Sequence, residues 1–328
     1  MTQTGILLIN TGSPDSPSIP DVRRYLREFL MDGRVIDLPF PARAAVVYGC
    51  ILPFRPRRSA EAYRRIWTPE GSPLVVTSQK LRDHLRLESG QPVELAMRYG
   101  NPSVDHALAR FERQNVRRVL VFPMFPHYAM SSYESAIVRV REVAAKLYPG
   151  LRIAVVQPYY ADPLYIGALV DVARPALNET PDHLLFSFHG IPLRHLRKAG
   201  RERHTCYRHQ STATVRAFLK HSGWPEKRAS IAYQSRLGPD RWLEPHTHIE
   251  LERLARCGVR RLAVICPSFT VDCLETLEEI AIRGREIFLQ AGGTEFTMIP
   301  ALNDRIEWVR AIAQILSRER SVEPALTN

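Results

Sequence analysis

The sequence predicts an α/β protein built of two similar domains, each with a central parallel sheet flanked by helices. Eight short, β-branched apolar runs alternate with longer amphipathic stretches, four in each half of the 328 residues. The runs are almost continuously apolar, as is typical of strands that helices cover on both faces. Short motifs of the first half also recur in the same order in the second half, which indicates a duplicated unit.

The individual elements follow from these runs. The segments between the strands carry apolar residues at helical spacing, for example Val104–Gln114, Ser132–Leu147 and Leu274–Gln290. We expect domains at residues 1–157 and 158–303, with a helix in residues 304–328 that packs back on the first domain. The predicted strands are Gly5–Asn10, Val93–Arg98, Arg118–Pro123, Arg152–Gln157, Leu184–His189, Ser230–Gln234, Arg261–Cys266 and Phe296–Pro300.

Three pairs of motifs carry the internal similarity, and each pair falls at corresponding strands of the two halves. The motifs of two pairs are closely similar in sequence, and those of the third pair are less similar. The pairs are Leu7–Pro14 with Leu185–Pro192, Val116–Val121 with Val259–Val264, and Arg98–Pro102 with Gln234–Pro239.

Polar and aromatic residues lie directly after several predicted strands. Ligands of parallel α/β sheets bind outside the carboxyl ends of the strands, so two such edges that face each other would form one cleft between the domains. No glycine-rich phosphate-binding motif follows any strand, which disfavours a dinucleotide or a nucleoside triphosphate. The residues concerned are Thr11, Arg98, Tyr99 and Phe125–Tyr128 in the first half, and His189, Ser235 and Pro267–Glu275 in the second.

His189 and a row of carboxylates are the strongest candidates for chemistry. His189 ends a buried strand and is followed by a Gly-Ile-Pro turn, while Asp272, Glu275 and Glu279 are spaced to share one face of an α-helix. Imidazole and carboxylate together suit proton transfer or a loosely held Fe²⁺, Co²⁺, Ni²⁺ or Zn²⁺. Capping of the helix is the alternative role for Asp272, and a solvated surface is the alternative for Glu278 and Glu279.

Composition excludes several classes of protein. An apolar content of 45% with no run near 18 residues, and no secretory prefix, predicts a cytoplasmic protein. Five scattered cysteines without a Cys-x-x-Cys argue against a disulfide framework. The net charge is +11, but the arginines are spread along the chain and no nucleic-acid-binding motif occurs, so we expect no nucleic-acid partner.

Residues 39–54, here termed the lip, are apolar and punctuated by proline, and Arg55, Arg57 and Arg58 follow them directly. Residues 39–58 fit either a peripheral membrane contact beside a basic patch or an ordinary core helix with a basic end. Further on, Ala62–Trp67 and Gly71–Pro73 supply arginines and a hydroxyl that could pair with the carboxylates of a flat apolar ligand.

Several of these motifs together resemble the ferrochelatase family over nearly the whole chain, most closely its Gram-negative bacterial type. The combination of the histidine and acidic motifs, in this order and at this spacing, is highly specific. The matching stretches are Gly5–Asp15, Arg24–Leu30, Gly71–Pro73, Ser187-Phe-His-Gly-Ile-Pro192, Tyr233–Gly238, Asp272-Cys-Leu-Glu-Thr-Leu-Glu-Glu-Ile280 and Ile299–Asn303.

The resemblance implies two Rossmann-like, chelatase-like domains and insertion of Fe²⁺ into protoporphyrin IX to form protohaem, the last step of haem biosynthesis. It implies that His189 and Glu275 contact the metal, that His189 accepts pyrrole protons, and that Asp272 and Glu279 orient or relay. It also assigns a set of residues to the macrocycle and its propionates: Thr11, Arg65, Ser72, Arg98, Tyr99, Phe125, Tyr128, Ser235, Trp242 and Phe269.

The chain departs from the family pattern in three places. Members often have Tyr-Pro-Gln-Tyr-Ser-Cys where this chain has Phe125-Pro-His-Tyr-Ala-Met130, so His127 would alter the cleft floor. Met130 stands where some members have a cluster ligand, so we expect no iron–sulfur cluster and no permanently bound cofactor. Thr11 replaces the tyrosine of coproporphyrin-using relatives, which favours protoporphyrin. Arg283 interrupts the row of carboxylates that Asp272, Glu275 and Glu279 begin along the predicted helix.

Two other functions stay open at this point. One is a related chelatase that inserts Co²⁺ or Ni²⁺, or Fe²⁺ into another tetrapyrrole such as coproporphyrin or sirohydrochlorin. The other is a haem-binding protein without enzymatic activity, which the basic charge and the aromatic content would fit. We expect a monomer or a weak dimer.

Overall fold

A computed structural model describes residues 3–200, 202 and 204–321. Its framework is two four-stranded sheets in which all neighbouring strands are parallel. The sheets have the same topology, β2-β1-β3-β4 and β6-β5-β7-β8. The predicted α/β fold and its duplication are therefore confirmed.

All eight predicted strands are present, with ends that differ by a few residues. The strands of the first sheet are β1 (Thr4–Ser13), β2 (Val93–Gly100), β3 (Arg118–Pro123) and β4 (Arg152–Val155). The strands of the second are β5 (His183–His189), β6 (Ala229–Gln234), β7 (Arg261–Ile265) and β8 (Glu295–Met298).

Helices cover both faces of each sheet, which explains the continuous apolarity of the strands. Those before β5 are α1 (Ile19–Leu30), α2 (Phe40–Ala44), α3 (Arg55–Ile66), α4 (Pro73–Ser89), α5 (Val104–Arg113), α6 (Ser135–Leu147) and α7 (Pro163–Asn178), with π-helical turns at Ala45–Ile51 and Met130–Glu134. Those after β5 are α8 (Leu193–Lys198), α9 (Tyr207–Ser222), a 3₁₀ turn at Glu226–Arg228, α10 (Thr247–Arg256), a π-helix at Glu275–Gly284, α11 (Arg285–Gln290) and α12 (Ile306–Ser321).

Helix α12 ties the two halves of the molecule together. It packs against α4 of the first half and against α7. The buried Trp308 of α12 contacts Phe122 of β3 at a ring-centroid distance of 6.1 Å and Tyr165 of α7 at 5.9 Å. The terminal segment therefore packs on elements of both halves, and residues 322–328 of the predicted helix lie outside the described residues.

The order of strands places the carboxyl ends of β1 and β3, and of β5 and β7, at the points where each sheet reverses its winding direction. Such points are the usual ligand sites of doubly wound sheets. At the end of β1 the chain passes close to β2, since Gly12 has φ +111° and a Cβ there would lie 1.9 Å from the Tyr99 carbonyl oxygen. Glycine is therefore required at this edge of the cleft.

The acidic segment after β7 differs from the prediction. Sequence spacing predicted one α-helix over Leu274–Gln290, but Glu275–Gly284 form a π-helix that continues into α11. A π-helix has wider turns than an α-helix and is frequently found at functional sites. The three carboxylates consequently do not share one α-helical face, and their partners differ.

Candidate functional site

A cleft of about 1240 Å³, its open mouth included, lies between the carboxyl edges of the two sheets. Its walls come from both halves of the chain, and they combine aromatic rings with a few polar groups. Among the residues that line it are Thr11, Tyr25, Phe29, Arg55, Tyr63, Ser72, Phe125, His127, His189, Tyr207, Ser268, Phe269, Cys273 and Glu275.

The imidazole of His189 is held in one tautomer by the next residue. Its Nδ1 lies 2.6 Å from the carbonyl oxygen of Gly190. A carbonyl oxygen can only accept, so Nδ1 carries the ring proton and Nε2 keeps its lone pair. The ring also lies 6.1 Å, centroid to centroid, from Phe269 on the cleft wall. His189 thus offers Nε2 to a ligand as a proton acceptor or metal donor.

The backbone of His189 is fixed by two hydroxyls from other elements. Its N–H donates to Ser268 Oγ at 3.3 Å, and its carbonyl oxygen accepts from Tyr207 Oη at 2.8 Å. The two hydroxyl oxygens are 2.9 Å apart, so Ser268 can donate to Tyr207 and complete a closed ring of three hydrogen bonds. Each donor is used once in this arrangement, which makes the end of β5 rigid.

The three glutamates of the π-helix have different environments. Glu275 lines the cleft, whereas the buried Glu278 forms ion pairs with Arg65 at 3.5 Å and Arg283 at 2.8 Å. Glu279 accepts hydrogen bonds from the backbone N–H and the hydroxyl of Ser235 at 2.8 and 2.5 Å. The solvated surface considered for Glu278 and Glu279 is therefore wrong, because both carboxylates have protein partners.

Asp272 lies outside the cleft. Its carboxylate accepts from Thr276 Oγ1 and Asn303 Nδ2, both at 2.8 Å, and from the N–H of Ala301 at 3.3 Å. Asn303 Oδ1 in turn accepts from the N–H of Asp272 at 2.9 Å. These bonds anchor the segment before the π-helix to the segment before α12, which gives Asp272 a structural role, and its predicted role in orientation or relay stays a prediction.

The cleft wall formed by α3 carries two residues for which no specific role was predicted. Arg55 is half-buried, its Nη1 is buried without a hydrogen-bond partner, and burial lowers its pKa while the charge of Glu275 acts in the opposite direction. Burial also raises the pKa of Tyr63 far above its usual range, so this phenol stays neutral. The position of Arg55 directly after the apolar lip was the available signal, but it indicated only a basic patch.

The other predicted residues fall into three groups. Thr11, Ser72, Phe125 and Phe269 line the cleft with His189 and Glu275. Arg65, Ser235 and Glu279 line an adjacent groove that shares Arg55 and Glu275 with the cleft. Arg98, Tyr99, Tyr128 and Trp242 belong to neither of these two lining sets.

Three residues of that last group have side-chain hydrogen bonds to other parts of the protein. Arg98 and Tyr99 bind the carboxylate of Asp32 at 2.5 and 2.9 Å, and the Tyr128 hydroxyl donates to Glu134. The backbone of Trp242 forms an isolated bridge with Pro192, while its indole Nε1 is buried without a hydrogen-bond partner. These bonds hold the side chains of Arg98, Tyr99 and Tyr128 against neighbouring elements, and the assignment of all four residues to the macrocycle stays a prediction.

Comparisons with known proteins are consistent with this geometry. The ferrochelatase family model matches residues 3–320. A ferrochelatase of Opitutus terrae is 47% identical over 95% of this chain and 96% of its own, and one of Pseudomonas aeruginosa strain LESB58 is 45% identical over 97% and 98%. The chain belongs to the ferrochelatase family.

Solved structures show that the ferrochelatase-family chain shares a wider chelatase fold. SirB from Bacillus subtilis with Fe³⁺ has a TM-score of 0.57 at 10% identity, covering 97% of this chain and 95% of its own. The sirohydrochlorin chelatase SirB from Bacillus subtilis subspecies spizizenii in complex with cobalt gives 0.56, also at 10% identity, covering 97% and 94%. At this identity the likeness concerns the fold alone.

His127 is buried in the cleft wall among Phe188, Tyr160 and Tyr207. Its Nε2 lies 2.8 Å from the Thr214 hydroxyl, which itself donates to the Tyr160 carbonyl oxygen at 2.7 Å. The imidazole must therefore donate from Nε2, and Nδ1 is left buried without a partner. Burial lowers the pKa of His127 to about 3, so this ring is neutral at working pH and is no proton acceptor.

We expect His127 to make the protein acid-sensitive. The unfolded chain binds a proton on this ring near pH 6.5 and the folded protein only at about pH 3, so stability is lost as pH falls between these values. His127→Gln should reduce the loss by about 2 kcal/mol between pH 6.5 and 5. Urea unfolding at several pH values measures this effect. The exposed His106→Gln is the control, and an unchanged pH dependence in His127→Gln would contradict the prediction.

Proposed function

We propose that this protein inserts Fe²⁺ into protoporphyrin IX, forming protohaem and releasing two protons. The observation that carries the proposal is a single cleft with aromatic walls that holds His189 Nε2 and the Glu275 carboxylate. Two ligands are too few for a resident metal, and the described residues contain no cluster of three or more His, Cys, Asp or Glu suited to a metal ion. They suit a cation that is passed to a second ligand.

In the proposed reaction, the two N–H bonds of the porphyrin core are replaced by bonds to iron. Nε2 of His189 accepts one pyrrole proton, and the imidazolium that results is stabilised by the Nδ1–H bond to the Gly190 carbonyl oxygen. Glu275 binds Fe²⁺ while the ion loses water, and it accepts the second proton once the pyrrole nitrogens have taken the metal. Phe125 and Phe269 hold the macrocycle against these two groups.

The propionates of the porphyrin are assigned to Arg55 and Ser72. Both lie in the cleft, and Arg55 offers a buried, unpaired guanidinium N–H. A carboxylate of the ligand would satisfy this donor and compensate for the desolvation of the arginine.

We expect Arg55→Met to raise the KM for protoporphyrin about 10- to 100-fold with little change in kcat, because a charge-assisted hydrogen bond contributes about 1.5–3 kcal/mol. Arg57→Met, an exposed neighbour on α3, is the matched control. Protoporphyrin dimethyl ester has no carboxylates, so Arg55→Met and the parent should bind it equally. An equal loss with both porphyrins would assign Arg55 to something other than the propionates.

The direct test is anaerobic incubation of the purified protein with Fe²⁺ and protoporphyrin IX, followed through the Soret and Q bands. Conversion to the haem spectrum supports the proposal. Turnover only with Co²⁺ or Ni²⁺, or only with coproporphyrin or sirohydrochlorin, would identify a related chelatase instead. Tight binding of haem without turnover would identify a haem-binding protein.

We further propose that the lip makes peripheral contact with membranes. Phe40, Tyr48 and Phe54 are exposed by 64%, 52% and 74%, and exposed Arg57 and Arg58 follow them. Among the helices that the structure describes, none has both the length and the apolar sequence that a membrane-spanning segment needs. Exposed aromatic rings beside arginines fit the interface of an anionic bilayer.

The parent protein should sediment with vesicles that contain phosphatidylserine. Phe40→Ser combined with Phe54→Ser should weaken this binding at least about fivefold, because two aromatic rings that would be buried in the bilayer interface are lost. Leu87→Ser, an equally exposed apolar residue on α4, controls for general hydrophobicity. Equal sedimentation of the parent and the lip variant would exclude the contact.

A further inference from the structure

Gln234, the last residue of β6, is bonded to the backbone of both candidate metal-contacting residues. It pairs in register with His189 of β5, and its backbone carbonyl oxygen accepts from the N–H of Gly190 at 2.8 Å. Its side-chain Nε2 donates to the carbonyl oxygen of Glu275 at 2.9 Å. One buried residue thus connects the end of β5 to the first residue of the π-helix.

The amide of Gln234 can adopt only one orientation. Glu275 presents a carbonyl oxygen, so the group that faces it must be the NH₂. The opposite atom, Oε1, accepts from the Ser187 hydroxyl at 2.7 Å and from the Cys266 thiol at 3.6 Å. Ser187 Oγ lies 2.8 Å from Thr247 Oγ1, which can donate to it. A directed chain of bonds from Thr247 through Ser187 therefore orients the amide toward Glu275.

The close approach of β5 and β6 leaves this connection little freedom. A Cβ at position 190 would lie 2.7 Å from the Gln234 carbonyl oxygen, so glycine is required for the strand end to come this near. Gln234 is 3% exposed and Ser187 is fully buried, so water cannot replace the lost bonds. The position of Glu275 relative to His189 is consequently coupled to one side-chain amide.

We propose that Gln234 is a positioning residue that sets the separation of the His189 imidazole and the Glu275 carboxylate during metal insertion. This role rests on the proposed function of the two residues. Delivery of Fe²⁺ by Glu275 and transfer of a proton to His189 Nε2 tolerate little displacement of either group, because reacting atoms must lie about 3–3.5 Å apart in an aligned geometry. Porphyrin binding depends on other parts of the cleft and does not need this spacing.

A series of three variants at increasing distance from Glu275 tests the proposal: Gln234→Met, Ser187→Ala and Thr247→Val. Each removes buried hydrogen bonds and should lower the melting temperature. The kcat for Fe²⁺ insertion should fall about 10- to 30-fold in Gln234→Met, two- to fivefold in Ser187→Ala and less than twofold in Thr247→Val, since a misplacement of about 1 Å can cost about 100-fold in rate and smaller displacements cost less. The KM for protoporphyrin should stay within about twofold in all three.

A purely structural role predicts a different pattern, in which the losses of kcat follow the losses of stability across the series. That pattern, or a Gln234→Met protein with parental kcat, overturns the proposal. If Gln234→Met does not fold, the losses of kcat and of stability are compared between Ser187→Ala and Thr247→Val. Losses of kcat that follow the losses of stability in these two variants likewise overturn the proposal. Failure of the parent protein to insert iron would instead refute the proposed function, so the two failures are distinct.

Discussion

His189→Ala is expected to lower kcat for iron insertion into protoporphyrin by about 10³-fold or more. Positioned general acid–base groups contribute about 10²–10⁴-fold, and His189 Nε2 is also a proposed metal contact. The KM for protoporphyrin should change little, because the cleft walls and Arg55 are untouched. Steady-state rates under anaerobic conditions, with porphyrin and Fe²⁺ varied separately, measure both quantities.

The choice of control matters because His189 ends a buried strand. His106→Ala, on the exposed surface of α5, should keep the parental rate. His189→Gln keeps the size of the side chain and should be as inactive as the alanine variant if proton acceptance is the role. A His189→Ala protein that metallates protoporphyrin at the parental rate would refute the assignment.

Glu275→Gln is expected to reduce kcat by about 10²-fold and to raise the KM for Fe²⁺, because the amide cannot replace the negative charge that favours a dication. The substitution keeps the shape of the side chain and the backbone carbonyl that Gln234 binds. The affinity for protoporphyrin, measured by fluorescence quenching, should be unchanged. This separates a metal or proton role from a role in the binding of the ring.

Glu286→Gln serves as the matched control, since this exposed glutamate on α11 follows directly after the π-helix. It should leave both the rate and the KM for Fe²⁺ unaltered. Equal behaviour of the two variants would show that Glu275 contributes only surface charge.

The fold and the central residues of the cleft were predictable because they depend on the local pattern of apolar and polar residues along the chain. Buried strands of a parallel sheet are recognisable by continuous apolarity, and the carboxyl ends of such strands meet at one edge. His189 and Phe125 therefore fall in the cleft, as their places at the end of β5 and just after β3 require. The shared topology of the two sheets also follows from the repeated motifs.

The roles of several polar residues were not predictable, because they depend on partners far away in the sequence. Asp32, which binds Arg98 and Tyr99, lies 66 and 67 positions from them. Asn303, which binds Asp272, lies 31 positions further along the chain. The π-helix was missed for a different reason, since its wider turn has no distinct apolar period in this segment. Asp272 itself lies before the π-helix begins at Glu275, so helical spacing did not apply to it.

The packing of α12 restricts how a large planar substrate gains access. One continuous apolar core includes Leu8 of β1, Phe186 of β5 and Trp308 of α12, so it joins both lobes on the side of the molecule that this helix covers. Separating the lobes as rigid bodies would expose that core to water, at a large cost in free energy. The two lobes therefore keep a fixed separation. Passage of substrate and product must be controlled by the segments at the mouth of the cleft.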